Sequence, residues 1–285
     1  MKVIFLKGQT MALEDELGDI IQKGRDGKSW SQKDLAQATG IALQEISKIE
    51  NYESIPDKKV IGALAQSLNL NQECLLRIAN DTWEPNKPTT DPDFELNTLE
   101  VFMGSYPVNC YILTCKQTGT TAIFDTGANP DAVIQKANEI KVKPSKIFLT
   151  HTHPDHAGGL NVLDREYSCP TFIDHAEPVP TGSSDLRKLS QGETIELGKL
   201  KIQVLETPGH TSGGCCYIIN NTVISGDVLF AGSMGRANYS FRLLHDSVLN
   251  KVLALPKETS IFPGHGPATT VGQELENNPF FCFPD

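Results

Sequence analysis

The chemistry in this 285-residue chain is concentrated in one decapeptide, THTHPDHAGG at residues 150–159, which follows the strand-like stretch 146–149. It places His151, His153, Asp155 and His156 within six consecutive positions. A surface loop gains no packing from clustered imidazoles, whereas a divalent cation needs several nitrogen or oxygen ligands converging from one rigid turn. Three further candidates lie downstream, each flanked by glycine and each just past an apolar run: His210 in TPGHTSGG, Asp227 in SGDVLF and His265 in FPGHGP. Imidazoles and carboxylates without a thiolate suit zinc first, with iron or manganese as alternatives. Five of the seven histidines are thereby ligand candidates. His175 reads as a structural or rim residue and His245 as the surface of a helix.

Such loops need rigid elements behind them. Short apolar runs at residues 109–114, 122–124, 147–149, 201–205, 216–219 and 223–224 are separated by Gly, Pro, Asp and His clusters. They read as strands with functional loops at their ends. Gly158 and Gly159 allow close backbone approach, and the apolar residues 160–163 open a helix. Upstream the pattern changes to helical spacing, seen in Leu13, Leu17, Ile20 and Ile21, in Leu35 with Ala38, in Ile46 with Ile49, and in Val60, Ile61, Leu64 and Leu68. Between the two patterns, residues 81–92 are polar and carry three prolines, the composition of a linker. The expected organisation is a helical domain at 1–80, a linker at 81–93 and a β-rich domain at 94–285.

The order HTHPDH, PGHT, SGD and PGHGP resembles the metallo-β-lactamase superfamily over residues 94–285. SGDVLFAGSMGR and IFPGHGPATTVGQELENNPF look most like its short glyoxalase II-like hydrolases. The resemblance implies an α+β fold, an αββα sandwich of two sheets packed between helices. It implies that His151, His153 and His210 bind one divalent metal, that Asp155, His156 and His265 bind a second, and that Asp227 bridges them. Asp125 in AIFDTGA matches an aspartate that orients a ligand histidine or loop. Two such cations, about 3.5 to 4 Å apart, share a hydroxide whose parent water is acidified to a pKa of about 7. That hydroxide would attack an ester, thioester or lactone carbonyl, with Asp155 helping to orient the water and Asp227 holding the metal pair together.

Full-length glyoxalase II enzymes carry a helical C-terminal domain that supplies cations to the glutathione carboxylates, but only twenty residues follow His265 here. The expected substrate is therefore a smaller thioester or ester. Arg236 and Arg242, in the GRANYSFR stretch, are the cations best placed to meet an anionic one. Persulfide oxidation, which uses one iron on the same scaffold, is the alternative chemistry. It has no need of Asp155, His156 and His265 as ligands.

In the helical part, SWSQKDLAQATGIALQEISKIEN at residues 29–51 has helix-turn-helix spacing, with helices at 32–38 and 43–51 about a turn at Gly40. It resembles the Cro/repressor-like helix-turn-helix family over about residues 17–78. By that resemblance Ser31 caps the first helix, Gln32 touches phosphate and Gln44 reaches a base edge. Several residues weaken a DNA-reading surface: Ala42 stands at a usual Ser or Thr cap, Leu43 at a usually polar contact, and Glu45 would face a polyanion. Residues 1–80 hold ten Lys or Arg against eleven Asp or Glu, a charge of −1, without the basic excess of a DNA-binding module.

The whole chain carries −10, from 25 basic and 35 acidic residues, which argues against a mainly electrostatic nucleic-acid binder. A hydrophobic fraction of 39% excludes a disordered chain. The seven cysteines are scattered without a C-x-x-C pair and read as reduced thiols, and Cys215 and Cys216 as buried neighbours on opposite strand faces. The short apolar run at residues 3–6 fits neither a signal peptide nor a membrane span, so a cytoplasmic protein without membrane contact is expected. A metallohydrolase whose helical domain dimerises the chain or shapes the pocket is the first reading, with a homodimer expected. A transcriptional regulator that senses or clears a small ligand is the second.

Overall fold

Three phenylalanines form the centre of the β-rich part. Phe124, Phe148 and Phe172 sit on neighbouring parallel strands in register and stack with centroids 4.9 Å apart at each step. Tyr217 of the opposing sheet meets the first two rings edge-on. Offset and edge-to-face rings of this kind add to the area they bury, and here they knit two sheets together.

The computed structural model describes residues 12–282, so the expectation for residues 1–6 lies outside the described residues. The described residues open with five helices: α1 (Leu17–Gly27), α2 (Gln32–Thr39), α3 (Leu43–Glu50), α4 (Lys58–Leu68) and α5 (Gln72–Ala79). One sheet follows as β1 (Phe94–Met103), β2 (Tyr106–Cys115), β3 (Thr121–Phe124), β4 (Pro144–Phe148), β5 (Thr171–Asp174) and β6 (Leu186–Leu189), in that spatial order. Its helices are α6 (Pro130–Glu139), the one-turn α7 (Pro154–Ala157) and α8 (Leu160–Tyr167). The second sheet takes β7 (Thr194–Leu197), β8 (Leu200–Glu206), β9 (Cys215–Ile219), β10 (Thr222–Gly226), β13 (Ser260–Pro263) and β14 (Thr269–Thr270). The small hairpin of β11 (Leu229–Phe230) and β12 (Ser233–Met234) branches off, and α9 (Phe241–Ser247) and α10 (Val271–Asn277) are the last helices of the described residues.

Three apolar clusters define the layers. The inter-sheet core joins Phe94, Leu113 and Phe124 to Leu197, Ile202, Tyr217 and Ile224. A second cluster packs α6 and α8 on the outer face of the first sheet through Val133, Ala137, Leu160 and Leu163. The third lies on the outer face of the second sheet and extends through its closing helices into the five N-terminal ones: Ile20, Ile21, Leu64 and Leu75 share one cluster with Val223, Leu229, Leu244 and Phe280. The fold is α+β, with two sheets between helices and a helix-turn-helix in front. Cys215 and Cys216 are fully buried and fall into different clusters, one per face of β9.

Polar contacts fasten the same seam. Lys23, 6% exposed on α1, donates to Asp15 and to the Met234 carbonyl (2.7 Å), with its ammonium 5.1 Å from the Phe230 ring centroid. Arg25 grips Glu50 through Nε to Oε1 (2.7 Å) and a second guanidinium nitrogen to Oε2 (2.9 Å), tying α1 to α3. The proline-rich segment lies along the β-rich part, where the Asn86 amide donates to Gln273 Oε1 (2.6 Å). Among the described residues no helix is long and apolar enough to cross a membrane.

Candidate metal centre

Five strands end at one rim and each delivers a polar side chain to it. Asp125 follows β3, His151 follows β4, His210 lies beyond β8, Asp227 caps β10 and His265 follows β13. The pairings β3 with β4 and β10 with β13 are parallel, so their C-terminal ends coincide. Pro154 opens α7 with His153 at its N-cap, and this single turn carries Asp155 and His156 into the cluster. Gly264 is required where β13 leaves the sheet, since a Cβ there would lie 2.2 Å from Asp227 Oδ1 and 2.7 Å from the His156 ring. Gly159 packs against the Thr126–Gly127 backbone rather than toward the rim, with its amide donating to Gly127 O (2.7 Å).

The ring nitrogens have divided tasks. His156 Nδ1 donates to Asp125 Oδ2 (2.8 Å), His210 Nδ1 to Arg236 O (2.7 Å), His265 Nδ1 to Pro107 O (2.6 Å) and His151 Nδ1 to Thr150 Oγ1 (3.1 Å). Carboxylate and carbonyl oxygens only accept, and the Thr150 hydroxyl gives its proton to Asp125 Oδ2 (2.8 Å), so those tautomers leave Nε2 lone pairs facing inward. His153 Nδ1 lies 3.1 Å from His151 Nε2 and 2.9 Å from His210 Nε2. On the other side His265 Nε2 is 3.5 Å, and His156 Nε2 3.7 Å, from Asp155 Oδ2. Asp227 stands between the groups, with Oδ1 3.2 Å from His156 Nε2 and Oδ2 3.5 Å from both His210 and His265.

Acceptors gathered this closely repel one another unless something positive stands among them. His156 Nε2 and Asp227 Oδ1 are buried and lack any hydrogen-bond partner. Either a proton or a cation must fill that gap. Burial pulls the His156 ring toward neutrality, but Asp227 and Asp125 outweigh it and raise its pKa to about 10; His265, buried beside Asp227 and Asp155, is raised to about 11. Asp227 is held well below the ordinary carboxylate value despite its burial, by His156 and His265. His151 and His210 go the other way, since burial lowers both. One half of the cluster thus attracts positive charge while the other presents neutral imidazoles, a donor set that fits divalent cations of borderline hardness.

Asp125 sits in the left-handed region at φ 55, and three contacts fix it there: the Thr150 amide and hydroxyl each donate to it at 2.8 Å, as does His156. Glu177 was not singled out by its sequence. Its carboxylate is 3% exposed and accepts from Thr152 N (3.0 Å), Thr152 Oγ1 (2.7 Å), Gly213 N (3.2 Å) and the Thr211 hydroxyl. It therefore joins the His151–His153 turn to the His210 turn. A lone Glu in HAEPVP carries no local signal of this.

The remaining expected residues fall elsewhere. Arg236 donates to Gln22 Oε1 (2.8 Å) and stands 3.8 Å from Asp26, so its guanidinium grips α1. Arg242 is 90% exposed beside Asp246. Both line a cavity of about 320 Å³ at the seam with Lys23, Tyr239 and Phe241. Gln32 donates to Glu50 Oε2 (2.9 Å), whereas Gln44 is exposed on α3. Ser31 caps α2, and Ala42 offers α3 no side-chain cap. His175 is exposed at the rim of the sheet, while His245 departs from its surface reading: it is half-buried, 5.0 Å from the Phe281 ring.

The family model of the metallo-β-lactamase superfamily matches residues 103–265, which include all seven residues of the cluster. The chain belongs to this superfamily. A helix-turn-helix family model matches residues 21–71. Among superfamily relatives, the probable metallo-hydrolase YqgX of Bacillus subtilis is 32% identical over 200 residues, 62% of this chain and 94% of its own. Hydroxyacylglutathione hydrolase GloC of Haemophilus influenzae is 28% identical over 199 residues, covering 62% and 93%. The solved structure of TTHA1623 in a di-iron-bound form superposes with a TM-score of 0.57 at 30% identity, over 64% of this chain and 99% of that one. These superfamily relatives are matched almost end to end, yet more than a third of this chain has no counterpart in them.

Proposed function

We propose that the protein is a two-metal hydrolase of small acyl thioesters or esters, similar in chemistry to the glyoxalase II-like branch. The observation that carries the reading is Asp227, whose carboxylate reaches both donor groups, His210 of the first and His156 with His265 of the second. His151, His153 and His210 would hold one cation, Asp155, His156 and His265 the other, and Asp227 both. Zinc, iron or manganese bound there would polarise a carbonyl oxygen and acidify water for attack on it. The protein groups do the positioning. Asp155, with its side chain 21% exposed, is the carboxylate of the cluster most open to solvent and would orient the attacking water. Asp125 fixes the His156 tautomer, and the backbone carbonyls of Pro107 and Arg236 fix those of His265 and His210. The seam cavity, lined by Arg236 whose carbonyl contacts His210 and with Arg242 in its wall, would receive the far end of an anionic substrate.

Stripping the protein with a chelator is expected to abolish hydrolysis of a small acyl thioester, and adding back zinc, iron or manganese to restore it with two metals per chain. Full turnover by a protein shown to be metal-stripped would end this reading. Oxygen uptake with a persulfide by the iron-loaded protein would instead favour the dioxygenase chemistry, which the complete second donor set disfavours.

A second role follows from the α2–α3 pair, which has helix-turn-helix geometry and leaves Gln44 exposed. If it reads DNA, the protein binds its own upstream sequence with an affinity that falls steeply with salt. No binding at about 50 mM salt would remove this role, because a phosphate-contacting module binds most tightly there.

A further inference from the structure

The last helix of the helical part and the C-terminal segment meet on one amide. Asn71 caps α5 by accepting from Cys74 N through Oδ1 (2.9 Å), and its Nδ2 donates to Cys282 O (2.8 Å), so a single side chain spans the backbones of two cysteines. Their thiols converge as well: Cys74 Sγ lies 3.6 Å and Cys282 Sγ 3.2 Å from the same acceptor, Glu276 O. The surrounding contacts hold both partners in place, since Asn71 N donates to Pro279 O (2.8 Å) and Arg77 to Asn277 Oδ1 (2.6 Å). Cys74 is 1% exposed, whereas Cys282 is partly open to solvent. The other five cysteines are buried and take no part in the metal cluster.

We propose that Cys74 and Cys282 form a reversible dithiol–disulfide pair that locks α5 of the helical part onto the C-terminal segment when a peroxide is present. The accessible Cys282 thiolate attacks a peroxide oxygen and becomes a sulfenic acid, releasing water. The Cys74 sulfur then attacks the sulfenyl sulfur; the S–S bond forms, the S–O bond breaks and a second water leaves. Two thiols and one hydrogen peroxide thus give one disulfide and two waters. The division of roles follows from access: burial and the adjoining Cys282 thiol push the Cys74 thiol up to about 12, which suits a resolving group that acts once its neighbour has been activated. The bond would join the segments that flank the third apolar cluster, and so would hold the helical part over the second sheet.

The test uses the full chain. Native protein is exposed to a few-fold excess of hydrogen peroxide, denatured, alkylated and mapped by mass spectrometry. Cys74 and Cys282 should escape alkylation together and appear as one cross-linked peptide pair, and dithiothreitol should return both. The oxidised protein should melt at least about 4 °C higher, as expected for closing so long a loop. Cys74→Ala should leave Cys282 as a sulfenic acid that dimedone traps, with thioester hydrolysis unchanged. The proposal is overturned if both thiols remain alkylatable, if Cys282 bonds only to a second molecule, or if it passes to sulfinic acid in the unmodified sequence.

Discussion

Asp227→Ala is expected to lower thioester hydrolysis by about 10³-fold or more and to reduce the bound metal from two per chain to one or none. The carboxylate is within 3.5 Å of three imidazoles drawn from both donor groups, and one of its oxygens is buried without any protein partner. Removing it takes away a shared ligand and leaves His156 and His265 without the negative charge that raises both. A loss of about 4 kcal/mol in transition-state stabilisation, ordinary for a polarising cation, corresponds to that factor. Metal content by mass spectrometry, hydrolysis rates and circular dichroism belong together here, so that a folding defect is recognised as one. A folded variant that kept two metals and normal turnover would falsify the bridging role of Asp227.

The second large effect is expected at Glu177, which touches none of the cluster's nitrogens. Glu177→Ala deletes four hydrogen bonds that bind the His151–His153 turn to the His210 turn. Loss of a group that orients ligands typically costs about 10- to 100-fold in metal affinity or activity. Competition with a chromogenic chelator should show weaker binding at the three-histidine group, while the Asp155, His156 and His265 group is less affected. Glu177→Gln should fall between the two, because the threonine hydroxyls can turn to accept from the new amide but the backbone amides of Thr152 and Gly213 cannot. If the chelator found Glu177→Ala indistinguishable from the parent, the two turns would have to be held by the strands alone.

Why the sequence announces the candidate ligands but not Glu177 follows from how each is placed. His151, His153, Asp155 and His156 share one turn, so their spacing is local and visible. His210, Asp227 and His265 stand at the ends of apolar runs, where the chain leaves a sheet, and that too is a local pattern. Glu177 acts across the fold on residues 25 to 36 positions away, with no motif around it. The same limit explains the arginines. Arg236 follows the proposed bridging aspartate closely enough to look like a substrate contact, yet Gln22 and Asp26 of α1, more than two hundred positions earlier, claim its guanidinium. Gln32 reads as a phosphate contact until Glu50, held by Arg25, is seen accepting its amide. His245 reads as surface because its partner, Phe281, lies beyond the last strand. Alternation and helical periodicity report which face of an element is apolar; they are silent on which distant element covers it.

The apolar cluster shared by the five N-terminal helices and the second sheet bears on how the molecule comes apart. Ile20, Leu64 and Leu75 belong to a cluster that also contains Val223, Leu244 and Phe280, so the helical core is continuous with the packing behind the second sheet. The ion pair of Lys23 with Asp15 is likewise completed by a carbonyl from the hairpin at Met234. Unfolding the helices alone would expose part of that shared apolar surface, so the two parts are expected to melt in one cooperative step, read as a single calorimetric transition. Whatever loosens the helices therefore reaches the metal cluster without passing through the proline-rich connection between them.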